Sequence, residues 1–198
     1  MKQRSKKTLV VLYPGCIEFE IKLVLELVSR ISDVCVAAPS TAALAGSSGL
    51  TYVPDVSYQD ALSEQFDCVL IPGGNVSEVI ELPELHQLLR QADNNGAVMA
   101  AICSGPILLA ISGVLVNKRH VNLSRYPKEM ESIWDGSRFE KSPVVIDGSI
   151  ITALPEAHID FGVAVASAMG VFADEQEALQ VGNYYKGLHK RDWSLLGR

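Results

Sequence analysis

The stretch Ala100-Ala-Ile-Cys-Ser-Gly-Pro106 carries the clearest chemical signal in the sequence. An apolar run leads into one reactive side chain, followed by serine, glycine and proline. Small neighbours permit a tight strand-to-helix turn, which lifts the central side chain out of the sheet as in the nucleophile elbow of hydrolases. Cys103 would then sit beside the first free N–H groups of the next helix. Those donors and the helix dipole favour a thiolate and predict a lowered pKa. A buried structural cysteine is the commoner fate of an isolated Cys, so the elbow needs support from elsewhere in the chain.

Two other segments supply it. Asp67-Cys-Val-Leu-Ile-Pro-Gly-Gly74 ends an apolar run in a glycine pair, where backbone can approach a ligand closely. The N–H groups of Gly73 and Gly74 could polarise a carbonyl oxygen beside the thiol, or simply close a tight turn. Leu12-Tyr-Pro-Gly-Cys-Ile-Glu-Phe-Glu20 places Glu18 and Glu20 soon after Gly15. A carboxyl in a partly closed site next to a thiolate has a raised pKa and, when protonated, could donate a hydrogen bond to sulfur. An acid in the first turn of a helix is equally what the dipole favours, and spacing separates neither these readings nor Glu18 from Glu20.

Short apolar runs alternate with helical patterns along the chain. Residues 8–13 (TLVVLY), 33–38, 67–71 and 97–102 read as buried strands. Ile17, Ile21, Val24, Val28 and Ile31 form one helix face, and Pro83–Asn94 has proline in its first turn and Asn95-Gly96 at its end. Gly46-Ser-Ser-Gly49 and Asp147-Gly148 read as hairpin turns, and residues 159–169 and 174–188 as helices. Within 116–142 the pattern predicts only a short strand at 120–123 and a short helix over Lys128–Trp134. Alternation of continuous apolar strands with helices means a parallel sheet covered on both faces. In such folds ligands bind outside the carboxyl ends of the strands. The three segments above lie at three such ends, so the pattern nominates one site assembled from distant parts of the chain.

Composition bounds the rest. The chain has 198 residues, 48% hydrophobic and 20% charged, with Lys+Arg 17 against Asp+Glu 23 and a net charge of −6. Mean hydropathy is +0.19. This excludes a disordered chain and argues against a general nucleic-acid binder. The longest apolar run, Ala97 to Cys103, is far short of the roughly 18 residues of a membrane span. The length suits one domain, 8–198, behind a basic, solvated tail at 1–7. The N-terminus shows no signal-peptide pattern. Cys16, Cys35, Cys68 and Cys103 form neither a C-x-x-C nor a metal-ligand spacing, so neither a disulfide framework nor a metal is expected, and the reading is cytoplasmic. Cys35 and Cys68 look like core residues. Tyr184, Tyr185 and Trp193 would pack a terminal helix onto the domain or join a dimer contact, and Trp134 is read as core packing.

Together the three segments resemble the ThiJ/PfpI superfamily, which has the class I glutamine amidotransferase-like fold. Ile151-Thr152 and Ile159-Asp-Phe-Gly-Val163 are similar to that family's final strand and helix. The resemblance implies a flavodoxin-like three-layer α/β/α sandwich with a mostly parallel central sheet, usually a homodimer. It implies Cys103 as nucleophile, Glu20 as the carboxyl touching the sulfur with Glu18 the second choice, and Gly74 with the Ser104 backbone as oxyanion-binding donors. The chain departs from the family at the histidine. Two branches carry His directly after the cysteine, where this chain has Ser104. A third takes it from the region after the elbow helix. There Val121-Asn-Leu-Ser-Arg-Tyr-Pro127 offers Ser124 or Tyr126, and His120 lies a few residues early. His120 and Tyr126 are thus the candidates for a third partner, and His158 reads as a capping or surface residue.

Two functions follow as expectations, neither needing a cofactor. One is covalent attack by Cys103 on a small electrophile: an aldehyde, a glycated adduct or an isonitrile. The other is an oxidative-stress response in which an oxidant converts Cys103 to sulfenic or sulfinic acid. The expected partners are a small-molecule substrate or oxidant and a second copy of the chain.

Overall fold

The computed structural model describes residues 5–123 and 128–189, with the side chains of 128–130 left undescribed. Ser124, Tyr126 and Trp193 therefore lie outside the described residues.

The chain opens with β1 (Lys6–Val11), α1 (Phe19–Val28), β2 (Ser32–Ala38), the β3–β4 hairpin (Leu44–Ala45 and Thr51–Tyr52), β5 (Val56–Ser57) and α2 (Tyr58–Ala61). It continues through β6 (Cys68–Ile71), α3 (Pro83–Asn94), β7 (Val98–Ile102), α4 (Pro106–Ile111), β8 (Arg119–His120) and β9 (Arg138–Phe139). It closes with β10 (Val144–Asp147), β11 (Ile150–Ala153), α5 (His158–Ala168) and α6 (Glu175–Tyr185). Single 3₁₀ turns occupy Val76–Glu78 and Pro155–Ala157, and a longer 3₁₀ segment Lys128–Trp134.

The seven-stranded sheet has the order β10-β11-β7-β6-β1-β2-β5. Every pairing in it is parallel except β10–β11, the hairpin at one edge. α1, α5 and α6 pack as one group and α2, α3 and α4 as another, giving the flavodoxin-like sandwich. The central strands are buried on both faces, which explains their lack of alternation: Cys68–Ile71 is fully buried, as are Ala100, Ala101 and Ile102.

Two local differences from the sequence reading have plain causes. β1 starts at Lys6, so the end of the basic run belongs to the sheet: Lys7 pairs with Glu64, and the Lys6 ammonium bonds the Met169 carbonyl. Both lysines are half-buried in a central strand, and both charges find partners. β5 and α2 were not foreseen, because each is too short to show a period; Ser57 caps α2 by accepting from the Asp60 N–H. Cys16, Cys35, Cys68 and Cys103 are all buried and free, with the two expected core cysteines 7% and 0% exposed.

Candidate active site

The order of strands puts the carboxyl ends of β1, β6 and β7 side by side. Each end contributes one part of the site.

The elbow follows β7. Cys103 has φ 63°, a left-handed conformation that a non-glycine residue adopts at a cost of order 1–3 kcal/mol. Its N–H donates to the Ala153 carbonyl (2.9 Å) and the Gly105 N–H to the Ile102 carbonyl (2.8 Å), so the strained turn is held from both sides. A Cβ on Gly105 would meet the carbonyl oxygens of Ile71 and Ile102 at 2.7 and 2.9 Å, so the elbow tolerates only glycine there. The cysteine is 6% exposed.

The loop after β6 lies against the elbow. The Tyr13 hydroxyl donates to the Pro72 carbonyl (2.8 Å), and the Ile17 N–H to the Gly73 carbonyl (2.8 Å), which fixes the glycine pair. Gly74 has φ 123° and bridges Cys16; a Cβ there would strike the Gly15 carbonyl oxygen at 2.4 Å. Gly73 leaves room for the chemistry itself. A Cβ on it would stand 2.5 Å from the Cys103 Cβ, 2.6 Å from Sγ and 2.8 Å from Glu20 Oε2.

The start of α1 delivers the acid. Glu20 is 1% exposed; its Oε2 accepts from the Gly73 N–H at 2.8 Å, and its carboxyl lies beside the Cys103 sulfur at the face of Gly73. Glu18 faces away. It accepts from Ser48 on the β3–β4 hairpin, near Tyr52, and its second oxygen is buried without a hydrogen bond. The geometry thus places Glu20, and not Glu18, at the sulfur.

The electrostatics correct the expectation of a resting thiolate. Burial, then the Glu20 carboxylate, push the Cys103 thiol up to about 12, outweighing hydrogen bonds from the Ser104 backbone and hydroxyl. Burial likewise raises Glu20, against the lowering by the Gly73 N–H, Cys103 and His158. Two like-charged acids in one dry site hold on to a proton between them. The thiol form of Cys103 is thereby favoured, with the Glu20 carboxyl as its neighbour. α4 is six residues long and Cys103 lies ahead of its cap at Gly105, so the helix offers the sulfur little.

The proposed oxyanion donors are also already engaged. The Gly73 N–H serves Glu20. The Gly74 N–H donates to Ser104 Oγ (2.9 Å), whose hydroxyl donates back to the Gly74 carbonyl (2.9 Å). Ser104 therefore joins the elbow to the glycine loop.

His120 is not brought to the sulfur. It is 2% exposed, stacked on Trp134 at 4.9 Å and edge-on to Phe139 at 6.1 Å. Burial pushes its imidazole down, and Nδ1 has no hydrogen bond. The apolar ring beside it wins because β8 pairs with β9, which carries Phe139. His158 is the first residue of α5, half-buried and edge-on to the exposed Phe19. Among the described residues no group of three His, Cys, Asp or Glu side chains could hold a metal ion. A cavity of about 530 Å³, walled in part by Asn122, Phe139, Lys141 and Leu154, opens where β11 ends.

A parallel sandwich with a strained cysteine elbow facing a carboxyl defines a class of α/β proteins. The chain belongs to the DJ-1/PfpI family, whose model matches residues 6–168. It is 31% identical over 171 residues to "Protein dj-1beta" of Drosophila melanogaster, covering 83% of this chain and 90% of the relative. It is 28% identical over 170 residues to "Glutathione-independent glyoxalase DJR-1.2" of Caenorhabditis elegans, covering 83% and 89%. It is 27% identical over 122 residues to "Deglycase PYRAB04690" of Pyrococcus abyssi, covering 61% and 72%. The crystal structure of Drosophila melanogaster DJ-1beta superposes with a TM-score of 0.77 at 27% identity, covering 94% of this chain and all of that one. Among the described residues no helix is long and apolar enough to cross a membrane.

Proposed function

We propose that the protein acts on small reactive aldehydes, with Cys103 as nucleophile and Glu20 as the base that takes its proton. The observation that carries the reading is the contact of a buried carboxylate with the elbow sulfur, aligned by the Gly73 N–H. A carboxylate whose pKa is raised is a stronger base than an exposed one and works closer to neutral pH. The thiol proton passes to Glu20 as the S–C bond forms. The carbonyl π pair moves to oxygen, and Glu20 returns the proton to that oxygen. The net change is addition of S–H across C=O, giving a thiohemiacetal. The Ser104 hydroxyl, polarised by the Gly74 N–H, turns from the Gly74 carbonyl to the developing oxyanion. Glu20 thereby does the work that a histidine does elsewhere in the family. Relatives named as a glyoxalase and a deglycase agree with this substrate class.

The test is loss of methylglyoxal at pH 7. The wild type consumes it, and Cys103→Ala falls to the buffer background; consumption that persists in Cys103→Ala overturns the proposal. A second reading is favoured by the Ser104 contacts, which occupy the Gly74 donor at rest. In it, peroxide oxidises the thiol to sulfenic acid with release of water, and a protonated Glu20 donates to the oxidised sulfur. Mild peroxide would then modify Cys103 before Cys16, Cys35 or Cys68. A cytoplasmic, single-domain homodimer goes with either reading, and light scattering tests the dimer.

A further inference from the structure

The cavity of about 530 Å³ at the end of β11 has apolar walls, formed by Val121, Leu123, Phe139, Pro143 and Leu154. Hydrogen bonds hold those walls in place. The Val121 N–H donates to Thr152 Oγ1 (2.9 Å), the Leu154 N–H to the Pro143 carbonyl (2.9 Å) and the Glu140 N–H to the His120 carbonyl (2.8 Å). Phe139 is steadied from behind by the stacked rings of His120 and Trp134. The space is thus preformed and of the size that small molecules ordinarily fill. Neither Cys103 nor Glu20 lines it.

Four polar side chains face this space: Asn122, Lys141, Ser142 and Glu156. Ser142 is already engaged, its hydroxyl donating to the Val144 carbonyl (2.8 Å). The side chains of the other three make no hydrogen bond or ion pair among the described residues. Lys141 and Glu156 are exposed and form the rim. Asn122 lies deeper. It is 8% exposed, and it lines both this cavity and a neighbouring one of about 320 Å³. A buried carboxamide ordinarily finds partners, because desolvating its donor and acceptor without replacement is destabilising. Here they stay unpaired beside the half-exposed ring of Phe139.

We propose that this cavity binds a free α-amino acid with an apolar side chain, at a site separate from the cysteine elbow. The lining selects that class. A carboxamide carries two N–H donors and a carbonyl acceptor, which match a carboxylate and an ammonium on one ligand. Lys141 adds positive charge for the carboxylate and Glu156 negative charge for the ammonium. A ligand with the carboxylate alone leaves Glu156 facing a like charge, and one with the ammonium alone does the same to Lys141. The ligand's side chain displaces water from Phe139 and Leu154.

The experiment is isothermal titration calorimetry of the full chain with L-phenylalanine, 3-phenylpropionate and 2-phenylethylamine. Wild type, Asn122→Leu and Lys141→Glu are compared, with circular dichroism confirming the fold; Lys141 is exposed, so its variant keeps the test open if Asn122→Leu does not fold. L-phenylalanine binds the wild type. The two analogues, each lacking one charged group, bind about tenfold or more weakly, the effect of losing a hydrogen bond to a charged group. Asn122→Leu and Lys141→Glu weaken L-phenylalanine by a similar factor. Absence of binding up to about 10 mM, where even a millimolar site would fill, overturns the proposal. So does affinity unchanged in either variant, or an analogue that binds as tightly as L-phenylalanine.

Discussion

Replacing Gly73 by alanine drives a methyl group into the contact between the thiol and its base. The added carbon would stand 2.5 Å from the Cys103 Cβ, 2.6 Å from Sγ and 2.8 Å from Glu20 Oε2. Ordinary carbon contacts need about 3.5–4.0 Å, so the overlap is about 1 Å on two sides. Neither neighbour yields cheaply. The Cys103 backbone is pinned to Ala153, and Glu20 is 1% exposed at the start of a packed helix. Over-packing of this kind costs about 1–3 kcal/mol. For a chain of this length each kcal/mol lowers Tm by about 2–4 °C. Moving the carboxylate off the sulfur also removes what raises the thiol after burial, so its ionisation shifts below about 12. Urea denaturation reads the stability, and thiolate absorbance near 240 nm against pH reads the acidity. A Gly73→Ala protein with wild-type stability and an unshifted thiol would refute the packing described here.

Other expectations are equally direct. Ser104→Ala breaks both hydrogen bonds to Gly74, costing about 1–3 kcal/mol by urea denaturation. Alkaline stability has a defined sign. The Cys103 thiol is raised in the folded state from 9.0 to about 12, so its contribution is whole below 9 and is lost as pH climbs through the folded value. Cys68, Tyr13 and Tyr58 are raised by burial and act in the same direction. Urea midpoints measured upward from pH 9 should fall, and Cys103→Ser should fall less steeply; a flat profile contradicts the assignment.

The elements that carry the site were legible because burial and turn chemistry leave strong marks. Continuous apolar strands, Pro-Gly and Gly-Gly stops and the Cys-Ser-Gly elbow fix which strand ends meet. Glu18 and Glu20 were not separable by spacing, since the difference lies in a hairpin that offers Ser48 to the first and a loop that offers Gly73 to the second. The direction of the thiol shift was misjudged from the elbow alone. A short helix and a nearby carboxylate count for less than burial, and burial is a property of the assembled fold. The more central position of His120 in the sequence leads only to a stacked aromatic cluster.

The central claim is that the Glu20 carboxylate accepts the proton of the Cys103 thiol as the sulfur attacks. The most direct measurement compares the rate of methylglyoxal addition to Cys103 and thiol ionisation in Glu20→Gln. Removing the carboxylate should lower the thiol's ionisation from about 12 and yet slow the addition about 10²–10⁴-fold, the usual contribution of a positioned base. A variant that adds the aldehyde at the wild-type rate, or whose thiol ionises at higher pH than before, would contradict it.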